Sequence, residues 1–200
     1  YGSEAAFVDQ MNALAEDLNM VDSKFGNATG MPNINTFVTA RDIVTLSRHL
    51  ISKHPEIYKR FSVTEFSHNG IKQKNRNVLL FRDKAVDGIK TGYTKSAGYC
   101  LVTSSKKGGM RLISAVMGAK SSSERVRNTK ILLQYGHRFF EVKEVLGRNS
   151  VVTSVPIYFG TKDTLPIGVT DSVVINIPKG SADKISIETF VSNLKDAISA

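Results

Sequence analysis

One cysteine in 200 residues cannot close an internal disulfide, so the chain carries no disulfide framework and gives no signal of its redox compartment. Cys100 lies in the strand-like run Gly98-Tyr99-Cys100-Leu101-Val102 with no His or Asp beside it. It reads as a small buried hydrophobe rather than a nucleophile. Long apolar runs are also missing: the stretch around Val78 to Phe81 falls far short of the roughly 20 residues a membrane-spanning helix needs. Tyr1-Gly2-Ser3-Glu4 has no basic start and no apolar core segment, so no signal peptide is expected here. Tyr1 and Ala200 are both expected to be boundaries within a longer protein. The four histidines fall on expected helices or at a turn, unpaired with other ligand types, so no metal site is expected. There is no internal repeat and no low-complexity tract.

What is present is enough apolar material, 41% of the chain, for one core and a small satellite. The formal charge of +9 comes from lysines and arginines scattered over all expected elements. No basic arm or aromatic-interleaved platform appears, so a nucleic-acid partner is not expected. A basic surface equally suits work beside anionic lipid or an acidic cell-wall polymer.

Helical spacing of Phe7, Met11, Leu14 and Leu18 predicts a helix over residues 4–19, capped by Ser3 and buried on those four side chains. A second helix is expected from Ala40 to Lys53, with Thr39 as its cap and Ile43, Leu46 and Leu50 inward, ended by His54-Pro55. Phe61 to Phe66 alternates as a strand, Asn69-Gly70 marks a turn, and Ile71 to Lys74 returns. Three strands follow at Asp87 to Tyr93, Gly98 to Ser105 and Arg111 to Gly118, the last two antiparallel across Lys106-Lys107-Gly108-Gly109. Ser121 and Glu124 form a capping box before a helix ending near Phe140, with Val126, Leu132, Leu133 and Phe139 or Phe140 inward. Short β-branched runs then take over (Val151 to Phe159, Val173 to Ile177, Ile185 to Phe190), separated by Gly, Pro, Asp and Ser. The chain therefore reads as α+β, with a main unit over residues 1–143 and a small, partial β-rich unit over 144–200.

Lys90-Thr91-Gly92, near the end of a strand, is the tripeptide with the most chemistry in it. A lysine ammonium supplies a field for an anionic substrate end and polarises nearby hydroxyls. A threonine hydroxyl donates to a carboxylate. A glycine leaves the strand edge bare, so that a substrate can lie along it as an added strand. The amide of Tyr93 is then placed to serve an oxyanion hole. Alternation sends Lys90 and Thr91 to opposite faces, so both can serve one cleft only where their strand borders it. Taken alone, the tripeptide also reads as a solvated lysine before a turn.

Four stretches, in order, widen the pattern: Phe25-Gly26-Asn27-Ala28-Thr29-Gly30-Met31-Pro32; Thr39-Ala40-Arg41-Asp42; Asn75-Arg76-Asn77 with Val86-Asp87-Gly88-Ile89-Lys90-Thr91-Gly92-Tyr93-Thr94; and Ala97-Gly98-Tyr99 leading to Met110-Arg111-Leu112-Ile113. Together they resemble the low-molecular-mass penicillin-binding proteins that are serine D-alanyl-D-alanine carboxypeptidases, over nearly all of residues 1–140. The tail resembles that family's second domain. The resemblance implies part of a β-lactamase/penicillin-binding-type transpeptidase domain, an antiparallel sheet with flanking helices. It makes Lys90, Thr91 and Gly92 the third catalytic motif and Arg76 a partner for the substrate carboxylate, a role its planar fork suits. A surface salt bridge is the alternative for Arg76. Tyr93 stands where relatives often carry His, so only its backbone role is carried over.

By the same resemblance, the nucleophilic serine of S-x-x-K and the serine of S-x-N lie before Tyr1. The matches inside this chain (Ser104 to Lys107, Ser181 to Lys184, Ser192 to Lys195, and Ser67-His68-Asn69) follow K-T-G and are read as coincidence. Residues 1–200 by themselves are expected to be inactive without that missing N-terminal segment. The implied activity removes the terminal D-alanine from peptidoglycan stem peptides ending in D-Ala-D-Ala, with β-lactam antibiotics as substrate mimics and no cofactor. The implied location is extracytoplasmic, at the periplasmic face of the inner membrane or the cell surface, held through a segment beyond Ala200. A class A β-lactamase-like hydrolase would need an E-x-x-L-N-type loop before K-T-G, which is absent, and would lack the β-rich tail. A non-catalytic cell-wall-binding homologue is the other alternative.

Overall fold

Ser3 accepts a hydrogen bond from the Ala6 amide at 3.1 Å and so starts α1, Glu4–Asp17, in the computed structural model, which describes residues 1–157 and 160–190. Thr39 does the same for α2, Ala40–Lys53, through the Asp42 amide at 3.2 Å. Pro55 opens the short α3, Pro55–Tyr58, which runs into a 3-10 turn at Lys59–Ser62. A hairpin of β1, Glu65–His68, and β2, Ile71–Lys74, precedes the short α4, Leu79–Arg82. Then come β3, Val86–Thr94, β4, Gly98–Lys107, and β5, Met110–Ala119, followed by α5, Ser122–Phe139. The remainder holds β6, Phe140–Leu146, β7, Val151–Pro156, β8, Thr164–Gly168, and β9, Val173–Pro178. This is the α+β class expected.

The three long strands form one antiparallel sheet in the order β3-β4-β5. On β5, Leu112 meets α5 at Gly136, while Ala115 meets α2; three residues apart on a strand, they point to opposite faces. One helix therefore covers each face of the sheet. Leu79, Val86, Leu101 and Leu133 form a buried apolar cluster on the α5 side, with Leu112 and Val126 packed against it. Each such side chain contributes roughly 1.5–3 kcal/mol by leaving water.

Several expectations need correction. On α1 the buried line is Val8 and Ala15, while Phe7 and Leu14 stay exposed. The reason is Asn12, whose amide clasps the Phe25 amide and carbonyl at 2.8 and 2.9 Å and so lays the following loop along that adjacent stripe. The strand expected from Phe61 begins only at Glu65. Asn69 and Gly70 both take positive φ, 48° and 76°, so the hairpin closes on them and its register pairs Glu65 with Lys74; Phe61 instead stacks on Tyr58. On α5 the buried stripe is Arg125, Thr129, Leu133 and Gly136, with Leu132 and Phe139 exposed. A Cβ at Gly136 would sit 2.4 Å from Leu112 Cδ1, so a larger residue there would push the Leu112 side chain aside. The Ser121 hydroxyl caps α5 as expected, but the Glu124 carboxylate returns to the amide of Lys120 rather than Ser121.

The chain divides into two compact units, Tyr1–Arg138 and Phe139–Ala200, a few residues ahead of the division expected at 143. In the second unit β6 pairs with β9 and β7 with β8, both antiparallel. Ile185 to Phe190 forms no strand, and the strand expected to Phe159 ends at Pro156, Phe159 itself lying outside the described residues.

Candidate active site

β3 has β4 on one edge and, among the described residues, no strand on the other. Its register sets Lys90 opposite Val102, Thr91 opposite Leu101 and Gly92 opposite Cys100. Thr91 stands beside the wholly buried Leu101 and is 9% exposed, whereas Lys90 is exposed on the other face. Because β3 is an edge strand, both still border one cleft of about 580 Å³, and Arg76 lines it with them. The Lys90 ammonium donates to the Thr91 carbonyl at 2.6 Å. At Gly92 a Cβ would meet only the Cys100 Cβ, at 3.7 Å, an ordinary contact. The fold itself would accept a side chain there.

Arg76 is held in place by its neighbours. The Asn75 amide and side chain donate to the Thr64 and Val63 carbonyls at 2.7 and 2.9 Å, fixing it to the base of the hairpin. Asn77, 1% exposed, donates to the Gly88 carbonyl at 3.0 Å and accepts from the Leu79 amide at 3.2 Å. Its own amide donates to Asn75 Oδ1 at 2.9 Å. Two asparagines thus clamp the arginine between hairpin and strand, a function that periodicity could not reveal. The only sequence signal was the N-x-N spacing around Arg76.

Arg125 is a second residue missed by the sequence reading. It reaches from α5 to donate to the Gly92 and Cys100 carbonyls, both at 3.1 Å, and lies over the Tyr99 ring at 5.5 Å. It therefore ties the far end of β3 to β4, next to Tyr93. The Tyr93 side chain, 57% exposed, packs against Tyr99 with ring centroids 4.3 Å apart.

At the near end of β3, Asp87 accepts from the Tyr58 hydroxyl at 2.7 Å and from Arg111 at 2.8 and 2.9 Å; Arg111 also donates to Ser104. Gly88 makes room, since a Cβ there would sit 2.7 Å from the Tyr58 oxygen. Burial pushes the Tyr58 phenol well above its usual range, opposed by the Ser104 hydroxyl and aided by the Asp87 carboxylate. The neutral phenol is thus favoured by the fold. Its stabilising contribution is complete below the ordinary tyrosine pKa of about 10 and is lost as pH climbs beyond it. An ultraviolet titration should show one tyrosine ionising late, together with unfolding, and Tyr58→Phe should remove that late step. A late step that survives the substitution would assign it elsewhere.

The serine matches resolve differently from K-T-G. Ser104 and Ser105 are buried in β4 at 0% and 1% exposure, the former bound by Arg111, the latter 3.0 Å from His137 Nε2. Burial, then the Lys107 charge, lowers the His137 pKa, but the pair faces no substrate because Ser105 is sealed. Ser67 lies on the exposed β1, and Ser181 donates to the Pro178 carbonyl in the second unit. Ser192 lies outside the described residues. Among the described residues no three His, Cys, Asp or Glu side chains gather as metal ligands, and no helix is long and apolar enough to cross a membrane.

The family described as D-alanyl-D-alanine carboxypeptidase matches residues 1–121, and that described as penicillin-binding protein 5, C-terminal domain, matches residues 140–200. The chain is 41% identical to D-alanyl-D-alanine carboxypeptidase DacA of Escherichia coli (strain K12) over 180 residues, 90% of this chain and 45% of the relative. Penicillin binding protein 5 from Haemophilus influenzae superposes with a TM-score of 0.79 at 37% identity, covering 88% of this chain and 52% of that one. Penicillin-Binding Protein D2 from Listeria monocytogenes, in its cefotaxime bound form, superposes with a TM-score of 0.62 at 34% identity, covering 66% and 56%. The chain spans about half the length of the curated relatives it matches.

Proposed function

The chain belongs to the D-alanyl-D-alanine carboxypeptidase family, and from that membership we propose that the free edge of β3 is the substrate-holding wall of a serine DD-carboxypeptidase. The observation that carries this reading is the meeting of Lys90, Thr91 and Arg76 on one cleft at an unpaired strand edge. A stem peptide ending in D-Ala-D-Ala lies along β3, its carboxylate taken by the Thr91 hydroxyl and the Arg76 fork. Gly92 leaves room for the peptide, and the Tyr93 amide receives the oxyanion of the penultimate carbonyl. Lys90 supplies positive potential to the reacting hydroxyls and the substrate's anionic end.

The nucleophile is the S-x-x-K serine that the family likeness places ahead of Tyr1; Ser104, sealed in β4, and Ser181, which donates to the Pro178 carbonyl, do not take its place. That serine attacks the penultimate D-alanine carbonyl, the terminal D-alanine leaves, and water hydrolyses the acyl-enzyme. β-Lactam antibiotics enter as mimics of the same peptide, and no cofactor takes part. The complete protein works outside the cytoplasmic membrane, attached through a segment beyond Ala200. Residues 1–143 form the latter part of the catalytic domain and 144–200 part of the second domain.

Two labelling reactions test the assignment. The complete protein should be covalently labelled by a fluorescent penicillin and should release D-alanine from a D-Ala-D-Ala peptide. Residues 1–200 alone should take no stable label. Labelling of the piece alone would place a nucleophile within it, and a complete protein that neither labels nor releases D-alanine would be a non-catalytic wall-binding homologue.

A further inference from the structure

The amide assigned to the oxyanion and the carbonyl that Arg125 grips belong to one peptide group. Resonance joins the Gly92 carbonyl to the Tyr93 N–H, so a charged donor at the oxygen draws electron density away from the nitrogen. Arg125 Nη1 donates to that carbonyl and to the Cys100 carbonyl, at 3.1 Å each. Gly92 and Cys100 are partners across β3 and β4, and the β4–β5 register steps over Cys100 between Tyr99 and Leu101. The guanidinium sits where the regular ladder is interrupted.

Neighbouring side chains hold it there. Arg125 is 7% exposed, its Nη2 donates to Ser122 Oγ at 3.3 Å, and its charge lies 5.5 Å from the centre of the Tyr99 ring. Tyr99 packs in turn against the ring of Tyr93, the residue that owns the amide. All of these contacts fall within residues 92–125. The position is a costly one for a cation. Arg125 stands in the first turn of α5, the end of a helix that favours anions, and it is buried, which penalises charge. Bridging backbone groups does not require a charge, since the neutral Asn77 amide holds the Gly88 carbonyl of the same strand.

Resting on the carboxypeptidase reading, we propose that Arg125 is a positioning residue for acyl transfer, whose charge acts through the Gly92–Tyr93 peptide to strengthen the Tyr93 N–H as an oxyanion donor. In this role Arg125 touches neither substrate nor nucleophile. The scissile carbonyl oxygen carries little charge in the bound substrate. When the serine oxygen bonds to the carbonyl carbon, the π electron pair moves onto that oxygen, and the Tyr93 hydrogen bond becomes strongest. Hydrogen bonds in series polarise one another, and a charged donor makes a bond about twice as strong as a neutral one. The benefit falls on the transition state, so it raises kcat rather than tightening substrate binding.

Two esters of one acyl-D-alanine with D-lactate, differing only in oxygen or sulfur double-bonded to the reacting carbon, test this on the complete enzyme. Sulfur accepts hydrogen bonds weakly, so the oxo-to-thiono ratio of kcat/KM reports the strength of the oxyanion donors. Arg125→Gln should lower that ratio by about tenfold, a fraction of the roughly 10²- to 10³-fold cost of losing a whole donor. It should also lower kcat for a D-Ala-D-Ala peptide with KM little changed. Arg125→Lys, which keeps the charge, should restore most of the ratio. Both esters are read on one preparation, so partial unfolding cancels, and Arg125→Met serves in the same way should Arg125→Gln not fold. Equal slowing of the two esters, or a ratio as low with Lys as with Gln, makes Arg125 a strand staple and overturns the inference. A raised KM at constant kcat for the D-Ala-D-Ala peptide overturns it too, because the arginine would then bind substrate directly. Each of those results leaves the carboxypeptidase reading standing. A wild-type enzyme that turns over neither the esters nor the peptide overturns that reading and the inference with it.

Discussion

Replacing Lys90 with Ala in the complete protein is expected to slow acylation by a labelled penicillin by about 10²- to 10³-fold, the usual cost of removing one group that stabilises developing charge. Lys90 is exposed, and its one hydrogen bond is to the neighbouring Thr91 carbonyl, so the fold does not depend on its side chain. The thermal midpoint should therefore stay at the wild-type value while acylation falls. That combination separates a loss of chemistry from a loss of structure. Lys90→Arg should recover only part of the rate, because a planar fork does not replace a compact ammonium. Acylation at the wild-type rate in Lys90→Ala would reduce Lys90 to a bystander and leave Thr91 and Arg76 to account for the site.

The second large effect is expected at Asn77. Its amide is 1% exposed and joins the Gly88 carbonyl of β3 to the Leu79 amide that begins α4. Truncation to Ala leaves both backbone groups without that partner, at a cost of about 1–3 kcal/mol for each buried unsatisfied group. A destabilisation of roughly 2–4 kcal/mol is expected, seen as a lower urea midpoint. Function should suffer separately. With its clamp gone, Arg76 loses its fixed position beside Lys90, so KM for a carboxylate-terminated peptide should rise more than kcat falls. Adding Arg76→Ala to Asn77→Ala should then cost less than Arg76→Ala alone costs, the mark of two residues acting as one unit. A wild-type urea midpoint in Asn77→Ala, or additive effects on KM, would contradict the clamp.

Arg125 poses the same kind of question at the opposite end of β3. Its guanidinium gathers two carbonyls from paired strands, Gly92 and Cys100, directly beside the amide assigned to the oxyanion. Asp87, Tyr58 and Arg111 do comparable work at the strand's start. β3 is therefore anchored at both ends by polar side chains from α3, β5 and α5, leaving its free edge open between them.

Local signals along the chain determined much of this molecule. Ser3, Thr39 and Ser121 cap the helices they precede, because a hydroxyl at that position satisfies an amide within its own first turn. Asn69-Gly70 closes its hairpin because those two residues accept the positive φ that the turn demands. The three long strands lie within a few residues of where alternation put them. Lys90-Thr91-Gly92 was marked by its residue types, and Arg76 by the resemblance of the stretches around it to a known family. Tertiary structure decided which polar residues are interior. Asn77, Arg125 and the half-buried Asp87 look like surface residues to any hydrophobic pattern, since withdrawing them from water is favourable only when carbonyls, amides or counter-charges from other elements converge on them. Those partners lie 11, 33 and 29 residues away, at Gly88 for Asn77, Gly92 for Arg125 and Tyr58 for Asp87. The same holds for the cleft: alternation sets Lys90 and Thr91 on opposite faces, and only the placement of β3 at the sheet's edge lets one cavity reach them both.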